Sequence, residues 1–388
     1  MGVANIELYK PVAVRLSENS RVQRSLPPHK LWGDREQPLS KSELESFDAR
    51  TIFYDVALSL DAARILAIGP PLGNLDEELL PIECHILDDS GEPVAQLKSR
   101  IQRFRMGTVM SLRLPQKWRG QPELSMRMDF ADSTRRDLTV RRPPTATPVD
   151  LSLSTLQKDN PLPWIRQWCH YWQLEGVDRV LLYDNGSLSY SITQLADALR
   201  PIDGLDIVVI DWNYPYGPTR AFDLGYAQAG SLNHARLFAH TNWSASFDID
   251  EYPVRNSEAN LAEYLALTPA WQAQVRIPPF MVPIVDERPD NIGDLTAADF
   301  RYRDRVPGRA TKYFYRPKRV RWCATHRAEG PRGRSSTVEP AELAFLHYIG
   351  LTTNWKRSDA RVAPTKYDPS RHEEDLRVKN VFERAAIR

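Results

Sequence analysis

Past Leu151 the chain alternates apolar runs of strand length with stretches of helical spacing, and that alternation restricts it to folds built on a largely parallel sheet. The first strand is Asp150-Leu-Ser-Leu-Ser-Thr-Leu156, and Leu162 to Leu174 follows at helical spacing. A second strand, Asp178-Arg-Val-Leu-Leu-Tyr183, runs into Asp184-Asn185-Gly186-Ser187, after which Ile192 to Leu199 reads as an amphipathic helix. Leu205 to Ile210 is a third strand. A helix from about Leu224 to Ala239 then leads into Trp243-Ser-Ala-Ser-Phe247, a strand that stops at Asp248. In an open α/β sheet, ligands gather beyond the carboxyl ends of the strands, where Asp184 and Asp248 both fall.

Upstream the pattern is different. Ile52 to Leu58, Ile82 to Leu87, Val109 to Leu114 and Leu124 to Phe130 are short alternating segments divided by turn signals such as Asp88-Asp-Ser-Gly-Glu-Pro93, which reads as a mostly-β module. Arg141-Arg-Pro-Pro-Thr-Ala-Thr-Pro148 breaks every period and is the expected linker. The expected organisation is a mostly-β accessory domain over 1–145, an α/β catalytic domain over 146–360, and a charged helical tail over 361–388, solvated apart from the spacing of Leu376, Val378, Val381 and Phe382.

Charge excludes some partners. Fifty-one Lys and Arg against fifty Asp and Glu leave +1, so no global field draws the chain to nucleic acid or to an anionic membrane, and any anion binding must be local. No apolar run reaches transmembrane length, and Met1 to Ser20 lacks the pattern of a secretory leader, so a cytoplasmic location is expected. Cys84, Cys169 and Cys323 are isolated and read as packing residues, neither a disulfide framework nor a zinc site.

The sharpest chemical signal is Ser246-Phe-Asp-Ile-Asp-Glu-Tyr252. Alternation in an extended chain puts Asp248 and Asp250 on one side and Glu251 on the other. Such a pair holds a hard divalent cation and leaves positions open to water and phosphate, or else it closes the strand in a plain acidic turn. Asp184-Asn185 and Lys158-Asp159-Asn160 end strands of the same unit, where a nucleotide's ribose and base need a carboxylate or an amide. An Asn-Gly turn is the bland reading of the first of these.

In order and spacing the chain resembles glycosyltransferase family 92 and related family-2-like bacterial proteins, over most of Leu151 to Lys356. The residues that carry the resemblance are Lys158-Asp-Asn160, Trp168-Cys-His-Tyr171, Gly176-Val-Asp178, Tyr183-Asp-Asn185, Gln228, Asn233-His234, Asp248-Ile-Asp-Glu251, Lys312, Arg316-Pro317, His326 and His347-Tyr348. It departs from the family at Asn160 and Gln167, where acids are usual, and after His347-Tyr348, where the nearest substitute for an expected lysine is Lys356.

The resemblance implies an α/β GT-A fold, a Rossmann-like nucleotide-sugar-binding sandwich. It also implies Mn²⁺ or Mg²⁺, a nucleotide-sugar donor that is UDP-linked and carries galactose in the best-known members, a glycan acceptor, and inversion at the anomeric carbon. Asp248 and Asp250 would hold the metal with His347, or with His326 as substitute. Lys158, Asn160, Asp184, Asn185, Gln228, Arg316 and Lys356 would serve the donor. Inversion needs a general base, for which Glu251, Asp286 and Glu287 are candidates. Lys318, Arg319 and Arg321 extend a basic stretch from Arg316 that either pairs with phosphate or forms an exposed strand face. Trp164, Trp168, Tyr171 and Trp172 read as core, whereas Trp212, Tyr214 and Tyr216 are placed to stack on an acceptor sugar. The competing functions are a sugar nucleotidyltransferase, which would carry a Gly-rich loop absent from Leu153 to Leu162, and a non-catalytic carbohydrate-binding protein.

Overall fold

The structure, a computed structural model, describes residues 5–29, 38–145, 147–219, 221–285, 296–349, 351 and 364–387. The chain forms two compact units, one of Met1–Leu8, Val149–Val209 and Thr241–Arg388, the other of Tyr9–Pro148 and Ile210–His240. The expected boundaries differ from these at three places. Met1–Leu8, read as part of the β module, groups with the α/β unit, Ile210–His240, read in sequence as part of the α/β domain, groups with the β module, and the C-terminal tail belongs to the first unit.

In the second unit two antiparallel four-stranded sheets share a core. One runs in the order Arg135–Arg141, Glu123–Asp129, Glu83–Leu87, Pro93–Leu97, and the other Asp55–Leu58, Arg64–Gly69, Gly107–Arg113, Ser99–Phe104. Alternation predicts the first of these, with one face buried and the other solvated, whereas Asp55–Leu58 in the second is buried along its whole length. The turn at Asp88 works as its chemistry suggests: Asp88 Oδ1 accepts from Ser90 N (2.9 Å) and Glu92 N (3.0 Å), and Gly91 takes φ +84°.

The helix Tyr226–Phe238 belongs to this unit. Its His234 Nε2 lies 2.9 Å from Asp55 Oδ2, which also accepts from Tyr9 Oη at 2.8 Å, all three residues buried. Gly230 is required there, since a Cβ would come within 2.7 Å of the Tyr54 ring. Trp212 and Tyr214 are buried in the same packing, Trp212 donating to Ala227 O (3.0 Å) and Tyr214 Oη to Tyr54 O, which removes them as an acceptor-stacking platform. Proline spacing reads as an exposed loop, but these rings have apolar neighbours to bury against.

The first unit is mixed α/β around an eight-stranded sheet. Its order is Asn5–Tyr9, Asp206–Asp211, Arg179–Asp184, Val149–Gln157, Thr241–Ser246, Lys312–Tyr315, Gln272–Ile277, Arg334–Thr337. Val149–Gln157 pairs in parallel with Arg179–Asp184 on one side and Thr241–Ser246 on the other, whereas Lys312–Tyr315 runs antiparallel to both its neighbours. Arg179–Asp184 is buried along its whole length, as a continuous apolar run in a parallel sheet should be.

The helix Leu162–Leu174 covers this sheet with Trp164, Ile165, Trp168 and Trp172, and here the aromatics are core. The C-terminal helix Arg377–Ile387 is not solvated all round, because Val378 is buried and Val381 and Phe382 pack on the same core. Among the described residues no helix is long and apolar enough to cross a membrane.

Candidate active site

Three adjacent parallel strands, Arg179–Asp184, Val149–Gln157 and Thr241–Ser246, end on one edge of the sheet, with Gln157 opposite Asp184 and Ser154 opposite Ser246. The acidic segment leaves this edge from an aromatic anchor. Phe247 is fully buried, its ring 4.8 Å from that of Trp172, 5.6 Å from Phe314 and 5.7 Å from Phe345, and its N donates to Ser154 O at 3.1 Å.

Directly after Phe247 the chain turns. Glu251 N donates to Asp248 O at 3.0 Å, and Glu251 Oε2 accepts from Asp248 N at 2.8 Å. The extended alternation expected for Asp248 to Glu251 is therefore replaced by a β-turn, closed because a side chain and a main chain both bridge it. Trp168 Nε1 donates to Glu251 O (3.2 Å) and Tyr171 Oη to Pro253 O (2.5 Å), so the aromatic helix holds the turn from beneath.

Beyond the turn, Glu251–Arg255 pairs antiparallel with Leu343–Tyr348, Glu251 opposite His347, and Tyr348 N donates to Asp250 O at 2.8 Å. That register carries His347 Nε2 to 3.4 Å from Asp250 Oδ2. The other Asp250 oxygen, Oδ1, is buried and accepts no hydrogen bond from the described residues, although the side chain as a whole is 10% exposed. Burial works to lower the His347 pKa, and the Asp250 carboxylate overrides it, lifting the imidazole to about 9.

Lys312 supplies a fixed cation. Its Nζ lies 2.7 Å from Glu251 Oε2 and 3.0 Å from Asp248 Oδ2, with the lysine and Glu251 side chains 5% and 3% exposed and Asp248 44%. Burial alone would lower the ammonium's pKa, but the two carboxylates outweigh it and raise it. Burial pushes the Glu251 carboxyl up to about 7 against the pull of Lys312. With Oε2 bonded to Lys312 and to Asp248 N, and the residue buried, Glu251 is a brace for the turn and has no open approach for an acceptor hydroxyl.

Its rival candidates for the base, Asp286 and Glu287, lie outside the described residues, as does Lys356. His326 is not drawn to the acids. Its Nδ1 faces Thr311 O at 3.2 Å, and burial, followed by the charge of Lys312, lowers its pKa.

The other two strand ends form one buried polar network. Asp184 Oδ1 accepts from Gln157 Nε2 and from Ser187 Oγ (2.5 Å), and Oδ2 accepts from Ser187 N (3.0 Å). Gln157 Oε1 accepts from Tyr190 Oη (2.9 Å) and Asn160 Nδ2 (3.4 Å), and Asn185 N donates to Gln157 O (2.8 Å). Asp159, at φ +52°, accepts from Leu188 N (2.7 Å) and Ser189 N (2.8 Å) through Oδ1. The structure thus brings Asn160, Asp184 and Asn185 together with Lys158 next in the chain, as sequence spacing suggests. Gln157 and Tyr190 join them unannounced, and Ser187 enters from the Asp184-Asn185-Gly186-Ser187 turn itself.

Arg316 is not at this edge. Because Lys312–Tyr315 runs antiparallel to Thr241–Ser246, Lys312 sits by the carboxyl end and Arg316 by the opposite one. There the Arg316 guanidinium lies over Trp243, 4.2 Å from the ring centroid, and donates to Gln272 O (3.1 Å) and Thr268 O (3.3 Å). The basic stretch that follows Arg316 leaves from that same far edge. Gln228 lies in the second unit and accepts from Tyr216 Oη at 2.9 Å.

Among the described residues no group of three or more His, Cys, Asp or Glu side chains is placed to hold a metal ion. The nearest approach to a cation site is the pair of Asp250, with its orphaned buried oxygen, and His347 beside it, while Asp248 is paired with Lys312.

No curated protein matches the chain. Among solved structures it is similar to the WbbM bifunctional glycosyltransferase in its apo form, at 16% identity and a TM-score of 0.25, over 35% of this chain and 24% of that one. It is also similar to HddC from Yersinia pseudotuberculosis, at 14% identity and a TM-score of 0.29, over 51% of this chain and 93% of that one. The profile of glycosyltransferase family 92 matches residues 151–382, which take in the three strand ends, the acidic turn, Lys312 and His347. On that match, which covers more than half of its length, the chain belongs to glycosyltransferase family 92.

Proposed function

We propose that the carboxyl edge of the sheet is a GT-A-type site, which takes a UDP-linked sugar and transfers it, with inversion, to a glycan acceptor with the help of Mn²⁺ or Mg²⁺. The observation that carries this reading is the Asp250–His347 pair. An acceptor oxygen buried without a donor is costly to keep, and here it lies beside an imidazole on a sheet edge where α/β proteins bind ligands.

In this reading Asp250, His347 and Asp248 hold the cation. When bound, it would neutralise the departing diphosphate. Lys312 and Glu251 keep Asp248 in place, the lysine by cancelling charge and the glutamate by capping the Asp248 amide. Asn160 and Asp184 face the nucleoside, with Gln157 and Tyr190 setting their orientation. The burial of Glu251 leaves Asp286 and Glu287 as the residues to test for the base.

A second reading has its own observation. Lys312 Nζ already sits 3.0 Å from Asp248, so the lysine would serve as the permanent positive charge and the enzyme would work without metal. Donor hydrolysis and transfer, measured with EDTA and with added Mn²⁺, separate the two. The first expects activity to be lost in EDTA and Asp250→Ala to lower it roughly 10²- to 10³-fold, the scale of removing one group that stabilises developing charge. Full activity in EDTA, or in Asp250→Ala, would sink it and leave the second.

A further inference from the structure

The basic stretch that begins at Arg316 leaves from the edge of the sheet opposite Asp248 and returns to the Thr311 end only at His326. Between Arg316 and Arg334 the chain carries seven lysines and arginines against one acid, Glu329, in a protein of net charge +1. Of these, Lys318, Arg332 and Arg334 are exposed and stay near Arg316, Arg332 through its pairing with Arg319, whereas Arg327 follows His326 back to Thr311.

Beside them runs Ala266-Leu-Thr-Pro-Ala-Trp271, a segment without charge. Leu267 is 86% exposed and Trp271 50%, and Ala266, Pro269 and Ala270 are exposed with them. Structure locks the two segments together. Arg316 donates to Thr268 O and Gln272 O, Arg334 N donates to Trp271 O at 3.1 Å, and the Arg334 guanidinium lies 5.7 Å from the Trp271 ring centroid. Gly333, at φ +134°, passes so close to the Trp271 carbonyl that a Cβ would fall 2.1 Å from its oxygen. The result is an apolar tip flanked on one side by cations.

We propose that this edge docks on an anionic lipid bilayer, Leu267 and Trp271 entering the interface while the arginines and lysines meet the headgroups. An indole and a leucine flanked by cations match the layering of a membrane interface, apolar below and charged above. A hydrophilic polyanion, whether glycan or nucleic acid, would pair with the same cations and stack on Trp271, yet it would leave Leu267 and Pro269 in water. The acids nearest the tip do not cancel these cations. Glu342 accepts from Tyr264 Oη at 2.7 Å and, with Glu339, lines the cleft that Leu267, Pro269 and Arg334 also border, two acids against the cations Lys318, Arg332 and Arg334 on the other side of the tip. The proposal rests on this surface alone, so it stands or falls independently of the donor reading.

The test is co-sedimentation of the full chain with phosphatidylcholine vesicles, with and without phosphatidylglycerol, at low and high salt. The expected result is binding only when phosphatidylglycerol is present, and release by salt. The double variant K318E/R332E should weaken binding at least ten-fold, since each cation near an anionic surface contributes roughly five-fold. Leu267→Asp should weaken it comparably, and both variants should keep the thermal midpoint of the parent because the side chains are exposed. Four outcomes would overturn the proposal: no sedimentation with anionic vesicles, equal binding to neutral ones, binding indifferent to both variants, or capture by heparin or RNA with vesicles left unbound.

Discussion

Asp184 and Asp250 both follow strands of one sheet, yet their oxygens are used in opposite ways. Both Asp184 oxygens accept donors from Gln157 and Ser187, whereas Asp250 keeps one oxygen buried with no donor among the described residues and turns the other toward His347. A buried acceptor that the protein itself satisfies stabilises a turn. One left unsatisfied lowers stability. On the proposed reading the contrast separates a framework that orients from a site that binds, though sequence presents them as two similar acidic strand ends.

The largest expected effect comes from the ion pair that braces the acidic turn. Lys312→Met leaves Glu251 charged and buried without a partner, and should cost about 3–5 kcal/mol, the scale for breaking one half of a buried pair. A urea midpoint would read this, and Glu251→Gln in the same chain should recover part of the loss. If the single variant were as stable as the parent, the turn would not be held as described.

Next comes Asp184→Ala, which strips two acceptors from a buried network and should cost about 1–3 kcal/mol. It should raise the donor KM more than it lowers kcat, the reverse of Asp250→Ala. A matching collapse of kcat in both variants would erase the contrast between the two strand ends.

Asp159 offers a pH test of the same framework. Burial works to raise its pKa, but the Ser189 and Leu188 amides prevail and lower it. A carboxylate depressed in the folded state contributes stability that is present above its unfolded pKa and lost as pH falls through the folded value. Asp159→Asn should therefore flatten the acid limb of stability below the ordinary carboxylate range and change little at neutral pH. An unchanged acid limb would show that the bridge to Leu188 and Ser189 contributes nothing.

Arg316→Ala should have the smallest effect. Losing the stack on Trp243 costs about 0.5–1 kcal/mol, and the donor KM should stay unchanged because the residue lies on the far edge. A raised donor KM would return Arg316 to the site.

Much of the first unit was readable in advance because its signals are local. Leu162–Leu174 and Ile192–Leu199 follow from helical spacing and end where their caps say, Ile192–Leu199 opening at Ser191 with a full capping box. In the β module, Glu83–Leu87 and Gly107–Arg113 were visible by alternation, whereas Ser99–Phe104, largely exposed, carries no apolar face to reveal it.

By itself, the sequence determined the alternation that makes a parallel sheet, the acids at the carboxyl ends of its strands, and membership of the family. Those properties lie in short windows, where side-chain period and chain order are enough. Tertiary structure alone decided that Asp248 to Glu251 turns instead of extending, that Lys312 meets two of its acids, and that the register Glu251 to His347 brings an imidazole to Asp250. It also decided that Ile210–His240 joins the β module and that Arg316 faces away from the site. Each of these depends on which strand pairs with which, and in which direction. Pairing between residues tens of positions apart is set by how the whole core packs, which no local window contains.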